Sequence, residues 1–249
     1  MTAGEQLAHA ERGLLGLGDT APVVDLLKVL EHDAGIHVAL CQLGEHGVAG
    51  MYQTRGGVPV ILVNSSTHPV RARFTLAHEF GHHRLGHAAA VDRVIDPNSR
   101  DRREIDANQF AAELLLPRLG VEWWLHANDE PAIDLESLVR LASHYGVSCE
   151  VALHRLDRAR RLRPGVKRAL QARVERGEHR DVAWRLGLPE LSDTLARERR
   201  LRVRLPAQTR RAVLRALERG MLDAEDAAER LHVDRLEIQR MRRLEPVVD

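Results

Sequence analysis

Apolar residues along the chain recur mostly at intervals of three and four, the spacing that turns one face of a helix toward a core. In "DTAPVVDLLKVLEHDAGI" (19–36) this period predicts a helix, with Asp19 or Thr20 as its cap, Pro22 in the first turn and Gly35 as its stop. The period then changes. "IHVALCQL" (36–43) has strand character, and "MYQTRGGVPVILVNSS" (51–66) divides around Gly56-Gly57 into two extended runs, a hairpin. The helical period returns at Pro69, with Thr67 as cap, and holds to about His87. The polar stretch 92–102 reads as a loop, and "REIDANQFAAELLLP" (103–117) as a helix stopped by Pro117. Residues 134–162 read as two helices about a Gly146 turn, the second capped by Ser148. The pattern predicts an α+β fold: a small, mainly antiparallel sheet with packed helices, followed by an all-helical C-terminal module.

That module repeats internally. "ALQARVERG" (169–177) matches "AVLRALERG" (212–220), and each leads into an Ala-x-x-Leu segment, at 182–195 and 227–241. The units have a helix–turn–helix shape, although Pro189 and His232 stand in or beside the turns, which departs from a strict DNA-reading pattern.

Charge sharpens the division. The formal net charge of +1 conceals −8 over residues 1–154, +12 over 155–215 and −3 over 216–249. The switch near 155 suggests two domains, 1–162 and an arginine-rich 163–249, and makes the second a candidate for a polyanionic or acidic partner. DNA contact through this module is one reading; contact with a protein, including the acidic domain of the same chain, is the other. The two cysteines, Cys41 and Cys149, form no C-x-x-C pair, and no apolar run approaches the length of a membrane span. A cytoplasmic protein without membrane contact is expected.

The densest chemistry lies in "RARFTLAHEFGHHRLGH" (71–87), where His78, Glu79, His82, His83 and His87 crowd into ten positions. Residues four apart share a helix face, so His78 and His82 can reach one ion, and Glu79 beside them can take a proton from water. Zinc suits such a site, with Mn2+ as another divalent option. A metzincin would need glycine at 85 and histidine at 88, where this chain has Leu85 and Ala88. His83 and His87 read as surface residues or as supports for the ligands. Glu104 on the following helix is the best third ligand, with Asn108 four residues on, placed to hold a ligand by hydrogen bond. Asp106 and Glu113 point around the helix away from that face.

"FTLAHEFGHHRLGH" followed by "EIDANQFAAELLLP" resembles the paired signature of the ImmA/IrrE metallo-endopeptidases, over roughly residues 20–160. The resemblance implies a zincin-type HExxH helix, His78, His82 and Glu104 as metal ligands, Glu79 as base and Asn108 as support. Asp106 stands where the family often has glutamate. It further implies cleavage of a helix–turn–helix transcriptional repressor, in stress response or mobile-element and defence regulation. The rival expectation is an antitoxin-like DNA- or protein-binding regulator whose metal site is structural or vestigial. Tyr145 and His144 are the candidates for stabilising an oxyanion. The run "VPVILVN" (58–64) either pairs with substrate as an added strand or lies buried within the sheet.

Overall fold

The computed structural model describes residues 1–44, 48–88, 90–92, 95–97, 99–130, 132–163, 165–188 and 204–244. The chain is α+β. Four strands, β1 (His37–Cys41), β2 (Gly50–Arg55), β3 (Val58–Asn64) and β4 (Ala90–Asp92), form a mixed sheet in the order β1-β3-β2-β4 among the described residues. β2 and β3 are the expected hairpin about Gly56-Gly57, both glycines at positive φ. β1 runs parallel to β3, while β4 adds antiparallel to the far edge of β2 through Gly50↔Asp92, Met51↔Val91 and Tyr52↔Ala90. The run 58–64 is therefore a central strand with both edges occupied, and it has no edge to offer a substrate.

Helix α1 (Ala3–Leu14) opens the chain, and Thr2 and Glu5 close its first turn as a reciprocal capping box. The next helix begins later than its apolar period suggests. α2 (Leu26–Lys28) is capped by Asp25, whose side chain accepts from Lys28 N at 2.9 Å, and it continues as a π turn over Val29–Asp33. Asp19 and Thr20 cap nothing because the chain around them is claimed by buried donors. The Thr20 carbonyl accepts from Tyr145 Oη at 2.7 Å, Ala21 from Arg12 at 2.5 Å, and Val23 from Arg73. The helix begins only where the Asp25 side chain can cap it.

The long helix α3 (Pro69–Arg84) lies against β2 and β3, and α4 (Arg102–Leu115) crosses α3 and α1. His68, with no side-chain capping bond, precedes α3; the Thr67 hydroxyl donates instead to the Asn64 carbonyl at 3.0 Å. Phe80 and Phe110 meet edge to face at the α3–α4 crossing, with centroids 5.6 Å apart, an arrangement worth about 0.5–1.5 kcal/mol beyond burial. The crossing is close because Gly81 faces Phe110: a Cβ there would lie 3.0 Å from Phe110 Cδ1. α5 (Arg118–Ala127), α6 (Leu135–Tyr145) and α7 (Cys149–Arg158) complete this layer. Gly146 ends α6 in the left-handed region and Ser148 caps α7, as their turn chemistry predicts.

The arginine-rich half is helical in all its described elements: α8 (Val166–Glu175), α9 (Glu178–Arg185), α10 (Ala207–Glu218), α11 (Ala224–Leu231) and α12 (Arg235–Leu244). The repeated Glu-Arg-Gly endings close α8 and α10. Residues 189–195 of the first unit, with Pro189, lie outside the described residues. Leu170, Val174 and Val182 bury in the same core as the helices before residue 162, whereas Ala227, Ala228, Leu231 and Ile238 form a second, small core. Arg204 joins the two. It exchanges backbone hydrogen bonds with Leu40 at 2.8 and 2.9 Å, and its guanidinium meets Glu31 at 2.5 Å. Glu31 also accepts from the Ala207 amide at the start of α10, at 2.9 Å. Among the described residues no helix is long and apolar enough to cross a membrane.

Candidate metal centre

The four-residue spacing on α3 sets His78 and His82 on one face, and both rings are buried. Their Nε2 atoms stand 3.0 Å apart. α4 brings Glu104 over them from its first turn, with Oε2 3.3 Å from His78 Nε2 and Oε1 3.4 Å from His82 Nε2. Two donors each bound roughly 2.0–2.1 Å from one zinc ion are themselves ~3.3 Å apart, so these separations suit a shared ion of that size. A fourth donor comes from the sheet: Asp92 Oδ2 lies 3.6 Å from His78 Nε2 and 3.9 Å from His82 Nε2. The donor atoms of all four residues lie within 4.8 Å of one another, and the cluster fits a divalent metal ion.

The surroundings orient these donors. His82 Nδ1 meets His87 Nδ1 at 2.9 Å. His82 turns Nε2 to the cluster and Nδ1 to His87, the kind of outer hydrogen-bond partner that orients metal-binding imidazoles. His87 reaches it from just beyond the helix end, where its own amide donates to the His82 carbonyl at 3.0 Å. His83 faces the other way and shares a 2.9 Å hydrogen bond with Tyr52 Oη. Asn108 donates to the Asp96 carbonyl at 3.0 Å, tying the chain that follows β4 to α4. Asp106 pairs with Arg102 and Glu113 with Arg155, so neither joins the cluster. Tyr145 is buried, its Oη within hydrogen-bond distance of the carbonyls of Thr20 and Gly120, and the exposed His144 stacks on Trp123.

Glu79 has no exposed surface, and neither carboxylate oxygen has a hydrogen-bond partner among the described residues. Burial raises its pKa to about 9; the His78 charge opposes the shift and the Asp92 charge adds to it. Burial pulls the His78 imidazole down, but Asp92 and Glu104 outweigh it and drive the pKa up, while burial and the His78 charge push His82 down. Strongly perturbed titration in adjacent buried groups with specific charge partners makes the cluster a functional-site candidate.

Glu79 fits its place because of Gly50. A Cβ there would lie 2.5 Å from both Glu79 Oε1 and Thr75 Cγ2. Gly50→Ala should thus displace the carboxylate, and misplacing a reacting group by about 1 Å can cost roughly 10²-fold in rate. We expect a loss of that order with metal content unchanged, measured by cleavage assay beside elemental analysis; full activity in the variant would show that Glu79 has room to spare.

A peptidase family model, the IrrE N-terminal-like domain, matches residues 31–157. The chain belongs to this family. No curated protein matches the chain by sequence. The match covers β1 to β4 and α3 to α6, with nearly all of α7, so the cluster lies wholly inside it. A metallopeptidase family and a four-donor cluster that fits a divalent ion agree. The IrrE-like domain also includes two residues that motif reading passed over. Asp92 reaches the cluster only through the pairing of β4 with β2, and Gly50 matters only through its contact with a residue 29 positions away.

Proposed function

We propose that this chain is a zinc-dependent endopeptidase that cuts a helix–turn–helix transcriptional repressor in the cytoplasm, releasing genes of stress response or of mobile-element defence. The observation that carries the reading is Glu79: a fully buried carboxylate with no hydrogen-bond partner among the described residues, next in sequence to His78 of the candidate metal cluster. A purely structural metal site has no use for such a group. When bound, the metal supplies Lewis-acid polarisation of the scissile carbonyl and a water of lowered pKa. His78, His82 and Glu104 hold it, and His87 fixes the orientation of His82. Glu79 takes the proton from the attacking water and returns it to the leaving amine, a role that needs its carboxylate ionised, the form that the positive charge of a bound metal favours.

The ligand set makes a clear test. Glu104→Ala should lower zinc affinity by more than the roughly 10–100-fold typical of losing an outer partner. Asp106→Ala should keep zinc, because its carboxylate is spent on Arg102. Zinc content of both variants, beside cleavage of repressors encoded near the gene, checks the assignment; zinc lost from the second variant and kept by the first would reverse it.

A second reading rests on the C-terminal helices. α11 and α12 meet at a turn where His232 is left-handed, and Arg235, Arg240, Arg242 and Arg243 are exposed on α12. This shape and charge suit DNA. Against it stand Glu225, Asp226 and Glu229 along α11, and the way Arg204 already engages Glu31 of the acidic half. We favour contact with protein. Sequence-selective DNA binding by the full chain, with a salt dependence set by the phosphates neutralised, would favour the regulator instead.

A further inference from the structure

Catalytic zinc sites keep one position open for water or substrate, whereas structural sites are closed by protein donors. Here three donors stand 3.0–3.4 Å apart and a fourth, Asp92, stands slightly back at 3.6 and 3.9 Å. His78, His82 and Glu104 project from two long, packed helices. Asp92 projects from a three-residue edge strand. Its backbone is paired with Gly50, the residue against which Glu79 rests, and its carbonyl accepts from Ala49 N at 2.7 Å. Four residues later, Asn108 holds the Asp96 carbonyl to α4. The Asp92 carboxylate is thus delivered to the centre by a short strand between two tethers, and its Oδ2 is buried with no hydrogen-bond partner among the described residues.

We propose that Asp92 is a displaceable fourth metal ligand, and that β4 is a latch holding the centre closed until a substrate strand competes for the same edge. The inference rests on the metallopeptidase reading and adds to it a regulated opening of the site. Competition is built into the sheet. β4 covers β2 only at Gly50, Met51 and Tyr52, and among the described residues the outer edge of Gln53 to Arg55 carries no strand. An extended peptide that adds along β2 in the manner of edge-strand recognition meets this free segment first. To continue along β2 it must peel away β4, which withdraws Asp92 from the centre and leaves the position open beside Glu79.

The test uses the full chain loaded with Co2+, whose visible spectrum reports its ligands, with acetohydroxamate as an exogenous ligand. Asp92→Ala should lower Co2+ affinity by roughly 10–100-fold in a chelator competition, the range typical of losing a supporting group. The same variant should take up acetohydroxamate at roughly tenfold lower concentration, because the hydroxamate no longer competes with a tethered carboxylate. Asp92→Asn keeps the side-chain shape and should shift both readings in the same direction, which separates loss of the ligand from loss of the fold. Variants that match the wild type in Co2+ affinity or in hydroxamate uptake would overturn the latch while leaving the metallopeptidase reading standing. A wild-type chain that binds no Co2+ would overturn both.

Discussion

Glu79→Gln is expected to leave metal content unchanged and to lower peptide-bond cleavage by roughly 10²–10⁴-fold, the usual contribution of a general acid–base group. Glutamine keeps the size of the side chain and an oxygen that can accept a hydrogen bond, but it cannot take a proton from water. The packing around it should tolerate the exchange. The site holds a carboxyl group whose pKa burial has raised to about 9, so the metal-free pocket already favours an uncharged side chain. Thermal stability should therefore stay the same or rise slightly. The result that sinks the assignment is a loss below about tenfold with the fold intact. A protein that works only by binding would behave the same before and after the substitution, so this variant also separates the enzyme from the regulator.

The distinction between what could be read in the sequence and what could not follows the range of the interactions. His78 and His82 were legible because their relation is local, one helical turn. The hairpin about Gly56-Gly57 and the turn at Gly146 were legible for the same reason. Glu104 was legible through the resemblance of its helix to the family signature, helix phase then setting Asp106 on another face, and the structure turns Asp106 to Arg102. α1 gave no such signal. Its buried side chains include Glu5, Glu11 and Arg12, so an apolar period never forms, and its partners lie far along the chain. Arg12, for example, reaches the Leu114 carbonyl at the end of α4, at 2.5 Å. Asp92 was hidden by its setting, the start of a polar segment that reads as loop. Only the pairing of β4 with β2, across some 40 residues, gives it a role.

Arg155→Met should give the largest loss of stability, because Arg155 joins buried carboxylates from two packed helices, α1 and α4. Arg155 is 3% exposed and meets Glu5 of α1 at 3.2 Å, Glu113 of α4, and the Leu116 carbonyl at 2.9 Å. Removing one partner of a buried ion pair typically costs about 3–5 kcal/mol, mostly because the other charge is left uncompensated. For a chain of this size that corresponds to a fall in melting temperature of roughly 6–20 °C. Burial works against ionisation of Glu5, but Arg158, the Thr2 amide and Arg155 outweigh it and hold its pKa down near 2. A depressed carboxyl stabilises the fold above its unfolded value and loses that contribution as pH falls. The wild type should accordingly weaken between about pH 4.5 and 2. Adding Glu113→Gln to Arg155→Met should recover part of the loss. It removes one stranded charge while its carbonyl oxygen still accepts from the Arg118 amide, the bond that Glu113 makes at 3.1 Å. The consequence reaches the metal centre, since α4 carries Glu104 at its start and Glu113 near its end. If Arg155→Met melts within about 1 kcal/mol of the wild type, the charge network is ornamental and α4 is held by its apolar face alone.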